Sequence, residues 1–371
     1  MVAEAAPIGS TYYEAPSGLG RMVLGDSCEG MKQDLADHSV DLIMTSPPFA
    51  LVRKKEYGNE DESKYLQWFR PFAEQFRRVL KDNGSLVIDI GGSWIPGQPT
   101  RSLYHFKLLI MLCDEFNFHL AQEFYWWNPA KLPTPAEWVN VRRVRVKDAI
   151  NPIWWLSPTP WPKASNRRVL QPYSDSMRHL LQNGYKAKRR PSGHDISTKF
   201  STNNGAAIPP NLIALAHTES NSYYIRYCRE RGIEPHPARY PAELPEYFIR
   251  MLSDPGDLVV DPFAGSCVTG EVCERLKRHW LCYETVEEYL KGARGRFVQA
   301  SPSSDSTVRP LLLPGTTDLL AQAPVVLDTS NSYKVSRPDV LWTNDVVDEA
   351  MLPPDGGRTR PEKLPVEQTS T

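Results

Sequence analysis

Asp257-Leu258-Val259-Val260-Asp261-Pro262-Phe263-Ala264-Gly265-Ser266 is a short apolar strand running into a turn of small residues. A helix pattern follows at Val268–Lys277, then a second strand, Trp280–Glu284, that ends on a carboxylate. Gly265 lets the backbone approach a ligand closely, and the helix behind it begins with unpaired N–H groups. Glu284, about twenty residues past the turn, is placed to accept both hydroxyls of a ribose. The Gly-x-Gly-x-x-Gly pattern is absent, which argues against a dinucleotide.

The same alternation runs upstream. Arg21–Asp26 reads as a strand ending on Asp26, which could accept from an adenine amino group, and Ser27–Asp37 as a helix capped by Asp26 or Ser27. Val40–Met44 is a buried strand, Lys64–Lys81 an amphipathic helix, Asp82-Asn83-Gly84 a turn and Ser85–Ile90 another buried strand. Leu103–Phe116 follows as a helix, with strands at His119–Trp127 and Ala149–Leu156. Helices at Pro241–Ser253 and Glu287–Val298 complete the pattern. Together these predict an α/β fold, a mostly parallel sheet with helices on both faces. Asp26, Asp261 and Glu284 would then converge at a crevice outside the strand ends.

A second turn carries chemistry. Thr45-Ser46-Pro47-Pro48-Phe49 follows the strand Val40–Met44 directly. Proline fixes φ and has no N–H, so carbonyls near it keep free acceptor capacity. A hydroxyl, free carbonyls and an aromatic ring suit a planar amino group, such as the exocyclic amine of a nucleobase.

The chain has 371 residues and the hydrophobic and charged fractions of an ordinary soluble protein, with 33 prolines and 10 tryptophans. No apolar run is long enough to span a membrane, and Met1–Gly20 lacks a secretory signal pattern. Its six cysteines show neither CxxC pairing nor zinc spacing. These features read as an intracellular, cytoplasmic protein without a metal. The net charge of -1 is unevenly distributed: from Ala300 onward ten acidic residues face six basic ones, leaving the rest at +3. Between Lys163 and Lys199 nine basic residues stand against Asp175 and Asp195, a candidate phosphate-binding face.

The organisation expected is an N-terminal extension at 1–20, a catalytic half at 21–156, a target-recognition region at 157–235, a cofactor half at 236–299 and a flexible tail at 300–371. The stretch from Ser157 to Pro235 is rich in Pro, Ser, Asn and Gly. It reads as a loop-rich lobe with a small core of its own around Trp161, Tyr173, Leu180, Leu212, Ile213, Tyr223, Tyr224 and Tyr227.

Asp261-Pro-Phe-Ala-Gly-Ser266 resembles the S-adenosylmethionine motif of amino-group DNA methyltransferases, and Thr45-Ser-Pro-Pro-Phe49 resembles their catalytic motif. The catalytic motif comes first and the cofactor motif last, the order of the β group, a circular permutation of the Rossmann-like methyltransferase fold. Ser46–Asn59, Arg190-Pro-Ser-Gly-His-Asp195, Ile208–Leu212 and His236-Pro-Ala-Arg-Tyr-Pro241 are similar to the PvuII-type cytosine-N4 enzymes. One departure is Cys267-Val268, where the family usually has Gly or Asn followed by Thr.

The resemblance implies methyl transfer from S-adenosyl-L-methionine to the N4 amine of a cytosine flipped out of duplex DNA. It implies Ser46, Pro47, Pro48 and Phe49 as catalytic residues, and Asp26, Asp261, Phe263, Gly265, Ser266 and Glu284 as cofactor residues. Arg53, Lys54, Lys55, Arg142, Arg143, Arg189, Arg190 and His194 are the candidate DNA contacts. A second copy of the chain and a cognate restriction endonuclease are compatible partners. Cytosine C5 methylation would need a cysteine at the catalytic motif, and none is there. Adenine-N6 enzymes usually carry Asp or Asn where Ser46 stands, so that reading, and a non-catalytic DNA-binding protein on the same fold, remain the alternatives.

Overall fold

The computed structural model describes residues 9–50, 62–184, 202–217 and 222–298. Arg53, Lys54, Lys55, Arg189, Arg190, His194 and the tail lie outside the described residues. The described strands are β1 (Ser10–Glu14), β2 (Gly20–Leu24), β3 (Val40–Thr45), β4 (Leu80–Asp89), β5 (His119–Trp127), β6 (Ile150–Ser157), β7 (Leu212–Ala214), β8 (Leu258–Asp261) and β9 (His279–Glu284). They form one sheet in the order β1-β2-β9-β8-β3-β4-β6-β5-β7. Strands β2, β9, β8, β3 and β4 are parallel to one another, whereas β1 and β6 run against their neighbours. Late strands β8 and β9 are thus inserted between early strands β2 and β3, the signature of a permuted order.

Side chains alternate across this sheet. Leu42 and Met44 enter one apolar core and Ile43 the other, all fully buried. The second core is closed by α1 (Ser27–Asp34), α2 (Glu62–Val79) and α3 (Tyr104–Asp114). Tyr65, Phe69, Phe72, Phe76 and Val79 make the buried face of α2, and each large side chain contributes roughly 1.5–3 kcal/mol by leaving water. The first core is closed mainly by α6 (Glu243–Leu252) and α7 (Val268–Arg275), with residues of α8 (Glu287–Ala293) and α9 (Gly295–Val298). No helix among the described residues is long and apolar enough to cross a membrane.

Three expectations change. Asp82-Asn83-Gly84 is not a turn before a strand but part of a bulge within β4. Leu80 pairs with Val40 and Ser85 with Leu42, so Lys81–Gly84 loop out opposite Asp41, and Lys81 Nζ sits 2.8 Å from the Asp41 carboxylate. Residues 10–14 are not an extension but an edge strand on β2, with Tyr13 packed 5.3 Å from the Phe297 ring.

The stretch 157–235 does not build a core of its own among its described residues. Trp161 is 82% exposed, Val169 and Ile213 join the first core, and β7 extends the main sheet beside β5. Helix α4 (Asp175–Asn183) buries no residue, and α5 (Tyr223–Glu230) packs Tyr224 and Cys228 closely against Gly292. Part of the basic cluster is structural too. Lys163 and Arg168 pair with Asp254 at 2.7 and 2.6 Å and hold the turn between α6 and β8.

Candidate active site

The register of the central strands decides where the two turns meet. Ile43 pairs with Val260, so Thr45 and Asp261 reach the same sheet edge side by side. Asp261 is buried, and four donors converge on it. Thr45 Oγ1 (2.8 Å) and the Phe263 N–H (3.1 Å) donate to Oδ1, while Thr269 Oγ1 (2.6 Å) and Tyr240 OH (3.2 Å) donate to Oδ2. Burial raises its pKa, and these hydrogen bonds oppose the rise. Asp261 therefore does not face a ligand as expected. It is a buried knot joining β3, β8, α7 and the segment His236–Tyr240, and the cleft wall runs past it.

Glu284 keeps the expected position at the end of β9. Its Oε2 accepts from Gly265 N–H at 2.8 Å, and Oε1 accepts from the Thr285 and Val286 N–H groups at 2.9 Å each. Desolvation pushes its pKa up and the backbone donors pull it down. Gly265 has φ +52, and a Cβ there would lie 3.1 Å from the His236 ring, so the backbone conformation favours glycine and a side chain would crowd His236. Ser266 is fixed by Arg296, whose guanidinium donates to its carbonyl (2.7 Å) and hydroxyl (3.2 Å). The Phe263 ring stands on Phe72 and Trp68, with centroids 4.8 and 5.8 Å away. Exposed Asp26 caps α1 by accepting from the Glu29 N–H at 3.1 Å and lines the same end of the cleft.

At the other end lies the Ser-Pro-Pro-Phe turn. Ser46 Oγ donates to Asp89 Oδ2 at 3.1 Å, and Asn151 Nδ2 donates to Asp89 Oδ1 at 3.3 Å. Asp89 is 2% exposed. Desolvation pushes its pKa to about 6, against the pull of the Ser46 and Asn151 hydrogen bonds and the Lys131 charge. Asp89 was missing from the candidates. Its signal was a strand ending on a carboxylate, as in β8 and β9. Phe49 lies on Gly91, where a Cβ would come within 2.4 Å of its ring, and Tyr104 OH donates to the Gly91 carbonyl.

One cleft of about 570 Å³ joins both ends. Ser46, Pro47, Pro48, Phe49 and Asp89 line one side, with Phe263, Gly265, Ser266, Glu284 and Asp26 on the other. Its size is in the range of small-molecule sites, roughly 300–1,000 Å³. The segment His236–Tyr240 closes a third side, and the loop between β5 and β6 reaches the rim through Asn128, Lys131 and Ala149. That loop carries Arg142 and Arg143 on its surface. Arg142 is tied to Glu137 at 2.8 Å and lies over the Trp138 ring, while Arg143 is exposed with φ +55. No group of three metal-binding side chains stands among the described residues.

Residues 40–294 match the family model N6_N4_Mtase, described as DNA methylase. The chain is 50% identical to the Type II methyltransferase M.PvuII of Proteus hauseri, over 77% of this chain and 86% of that protein. It is 25% identical to M.HpaI of Haemophilus parainfluenzae, over 74% and 73%. Among solved structures it superposes on the PvuII DNA methyltransferase (cytosine-N4-specific) with a TM-score of 0.63 and 43% identity, covering 79% of this chain and 92% of that one. A match over most of the chain, the permuted strand order and the two turns in one cleft agree: the chain belongs to the N6/N4 DNA methylase family.

Proposed function

We propose that this protein is a site-specific DNA methyltransferase that methylates the N4 amine of cytosine in duplex DNA. The observation that carries this reading is the Ser46–Asp89 pair facing the Gly265–Glu284 turn across a single cleft. S-adenosyl-L-methionine supplies an electrophilic methyl group on its sulfonium sulfur. The residues of the far end fit it: Glu284 has acceptor capacity for ribose hydroxyls, Phe263 offers an apolar ring face, and Gly265 leaves room for close backbone approach. Its adenine amino group would donate to Asp26.

A target base must leave the helix to reach this depth, at a cost of a few kcal/mol offset by contacts in the cleft. Phe49, backed by Gly91, stacks on the extruded ring. The Pro47 carbonyl and Ser46 accept from the amine and orient its lone pair. Attack of the amine nitrogen on the methyl carbon would break the methyl–sulfur bond, whose electron pair returns to sulfur and leaves a neutral thioether. The methylated nitrogen then has a proton to lose. Ser46 is positioned to pass it to Asp89, which is ionised above pH about 6 and takes it up. Positioning and this proton path supply the catalysis; no covalent nucleophile is needed. The reacting amine is common to cytosine and adenine. Ser46 and the likeness to the cytosine-N4-specific PvuII enzyme favour cytosine.

The loop between β5 and β6, with Arg142 and Arg143, and the region 157–235 contact the DNA in this reading, phosphates for register and base edges for sequence. A cognate restriction endonuclease is the natural partner of a Type II modification enzyme, the class named for both relatives above. The test is nucleoside analysis of plasmid DNA incubated with the protein and S-adenosylmethionine. N4-methylcytosine is expected; N6-methyladenine in its place, or no modified nucleoside, overturns the assignment.

A further inference from the structure

Building on the reading that a base is flipped into this cleft, we propose that Lys131 selects cytosine. Its ammonium donates to the 2-oxo group of the extruded base, where adenine presents only a C–H.

Lys131 is half-buried and lines the cleft beside Asp89 and Asn151. A second lysine anchors its backbone: Lys147 Nζ donates to the Lys131 carbonyl at 3.1 Å and to that of Pro129 at 3.2 Å. The Lys131 ammonium itself makes no hydrogen bond among the described residues. Burial lowers its pKa, and the charges of Asp89 and Asp148 only partly offset this. A half-buried ammonium whose three donors are not committed to the protein is available to an acceptor that enters the cleft.

Cytosine brings that acceptor. Its pairing edge presents the amine, then N3, then the 2-oxo group. With the amine at Ser46, two buried acceptors need donors from the protein. Neighbouring polar groups are partly committed. Asn151 Nδ2 is bonded to Asp89, and Asn128 Oδ1 accepts from the Ala130 and His217 N–H groups. Lys131 supplies a donor and a charge on the Asp89 side of the same cleft. Adenine offers its amine and N1 but a C–H next along the edge, so it would leave the ammonium unpaired. A site built to hydrogen-bond one substrate group rejects the analogue that lacks it.

The test uses duplexes carrying one mapped target site. The target position holds cytosine, adenine, or a 2-aminopyridine C-nucleoside that keeps the amine and ring nitrogen but lacks the oxo group. Wild-type protein should lose about 10- to 100-fold in kcat/KM on the aminopyridine, the size of a charge-assisted hydrogen bond. Lys131→Met should lose the same factor on cytosine and nothing further on adenine or the aminopyridine. An equal fall of Lys131→Met on all three bases would overturn the proposal, placing Lys131 on the amine chemistry through Asp89. So would wild-type activity on the aminopyridine equal to that on cytosine, an arm that needs no variant. Retained S-adenosylmethionine binding by calorimetry shows that Lys131→Met is folded, and Lys131→Gln replaces it if it is not. Failure of the wild type to methylate cytosine at all would refute the functional reading instead, and is told apart by that control.

Discussion

The two turns that face each other across the cleft are built differently. At the cofactor end two carboxylates are held in place from within the protein: Asp261 accepts from four donors and Glu284 from three backbone N–H groups. At the catalytic end, among the described residues, only Ser46 and Asn151 hydrogen-bond the Asp89 carboxylate, and the Lys131 ammonium has no hydrogen bond. The first end is preorganised for a ligand that always has the same shape. The second keeps donors and acceptors in reserve for a base that must come out of a helix and leave again. Damage at the first end should therefore cost binding and stability, and damage at the second should cost rate.

The largest expected effect is on rate. Asp89→Asn removes the proton acceptor and should lower kcat about 10²- to 10⁴-fold in single-turnover assays, with little change in S-adenosylmethionine affinity. Stability should move the other way. The folded pKa of Asp89 is raised, so its favourable contribution is present at low pH and is lost as pH rises through about 6. Above that pH its ionised form opposes folding, with Ser46, Asn151 and Lys131 easing the cost. Asp89→Asn should then be more stable than wild type at pH 8, by up to about 3 kcal/mol, and the gap should close toward pH 4. Wild-type turnover should fall as pH drops through about 6. A pH-independent stability difference would break the account of Asp89.

Asp261→Ala tests the other end. It leaves Thr45, Thr269, Tyr240 and the Phe263 N–H facing a void, which should cost at least about 3 kcal/mol in urea unfolding. Cofactor affinity should drop with it, because the knot carries the turn. Next in size is Gly91→Ala, which pushes the Phe49 ring from its seat. Unfolding should shift by about 1 kcal/mol, since a half-exposed ring can give way. Turnover should fall about 10-fold if the ring positions the base, and unchanged turnover would remove Phe49 from the mechanism.

How much of this was legible from sequence follows from the same contrast. The cofactor turn was readable because its requirements are local: small residues after an apolar strand, and a carboxylate at the next strand's end. Asp89 also ends a strand, but that mark does not say which side chain it meets. It meets Ser46 only because Thr45 pairs with Ile88 in the β3–β4 register, which a sequence does not display. Asp261 was found, but its orientation was misread. Strand-end carboxylates look alike until remote donors are placed, and Thr45 is 216 residues away. The separate core expected within 157–235 is not found among its described residues for a related reason: Val169 and Ile213 pack into the first core, and Tyr224 and Cys228 pack against Gly292.

Cys267 gives the smallest and most diagnostic test of the cofactor end. It stands where the family usually has Gly or Asn, fully buried, with φ +54 and ψ +42. A side chain in this left-handed region costs about 1–2 kcal/mol, yet the Cys267 Sγ fills space beside Gly270. Replacing it therefore sets strain relief against lost packing. Cys267→Ala loses the sulfur and keeps the strain; Cys267→Gly loses the sulfur and removes the strain. The Gly variant should be the more stable by about 1 kcal/mol, seen as roughly 2–4 °C in Tm. That order inverts the usual advantage of Ala over Gly. If Ala proves the more stable, the turn is not strained at Cys267, and rigidity at this end rests on Asp261 and Glu284 alone.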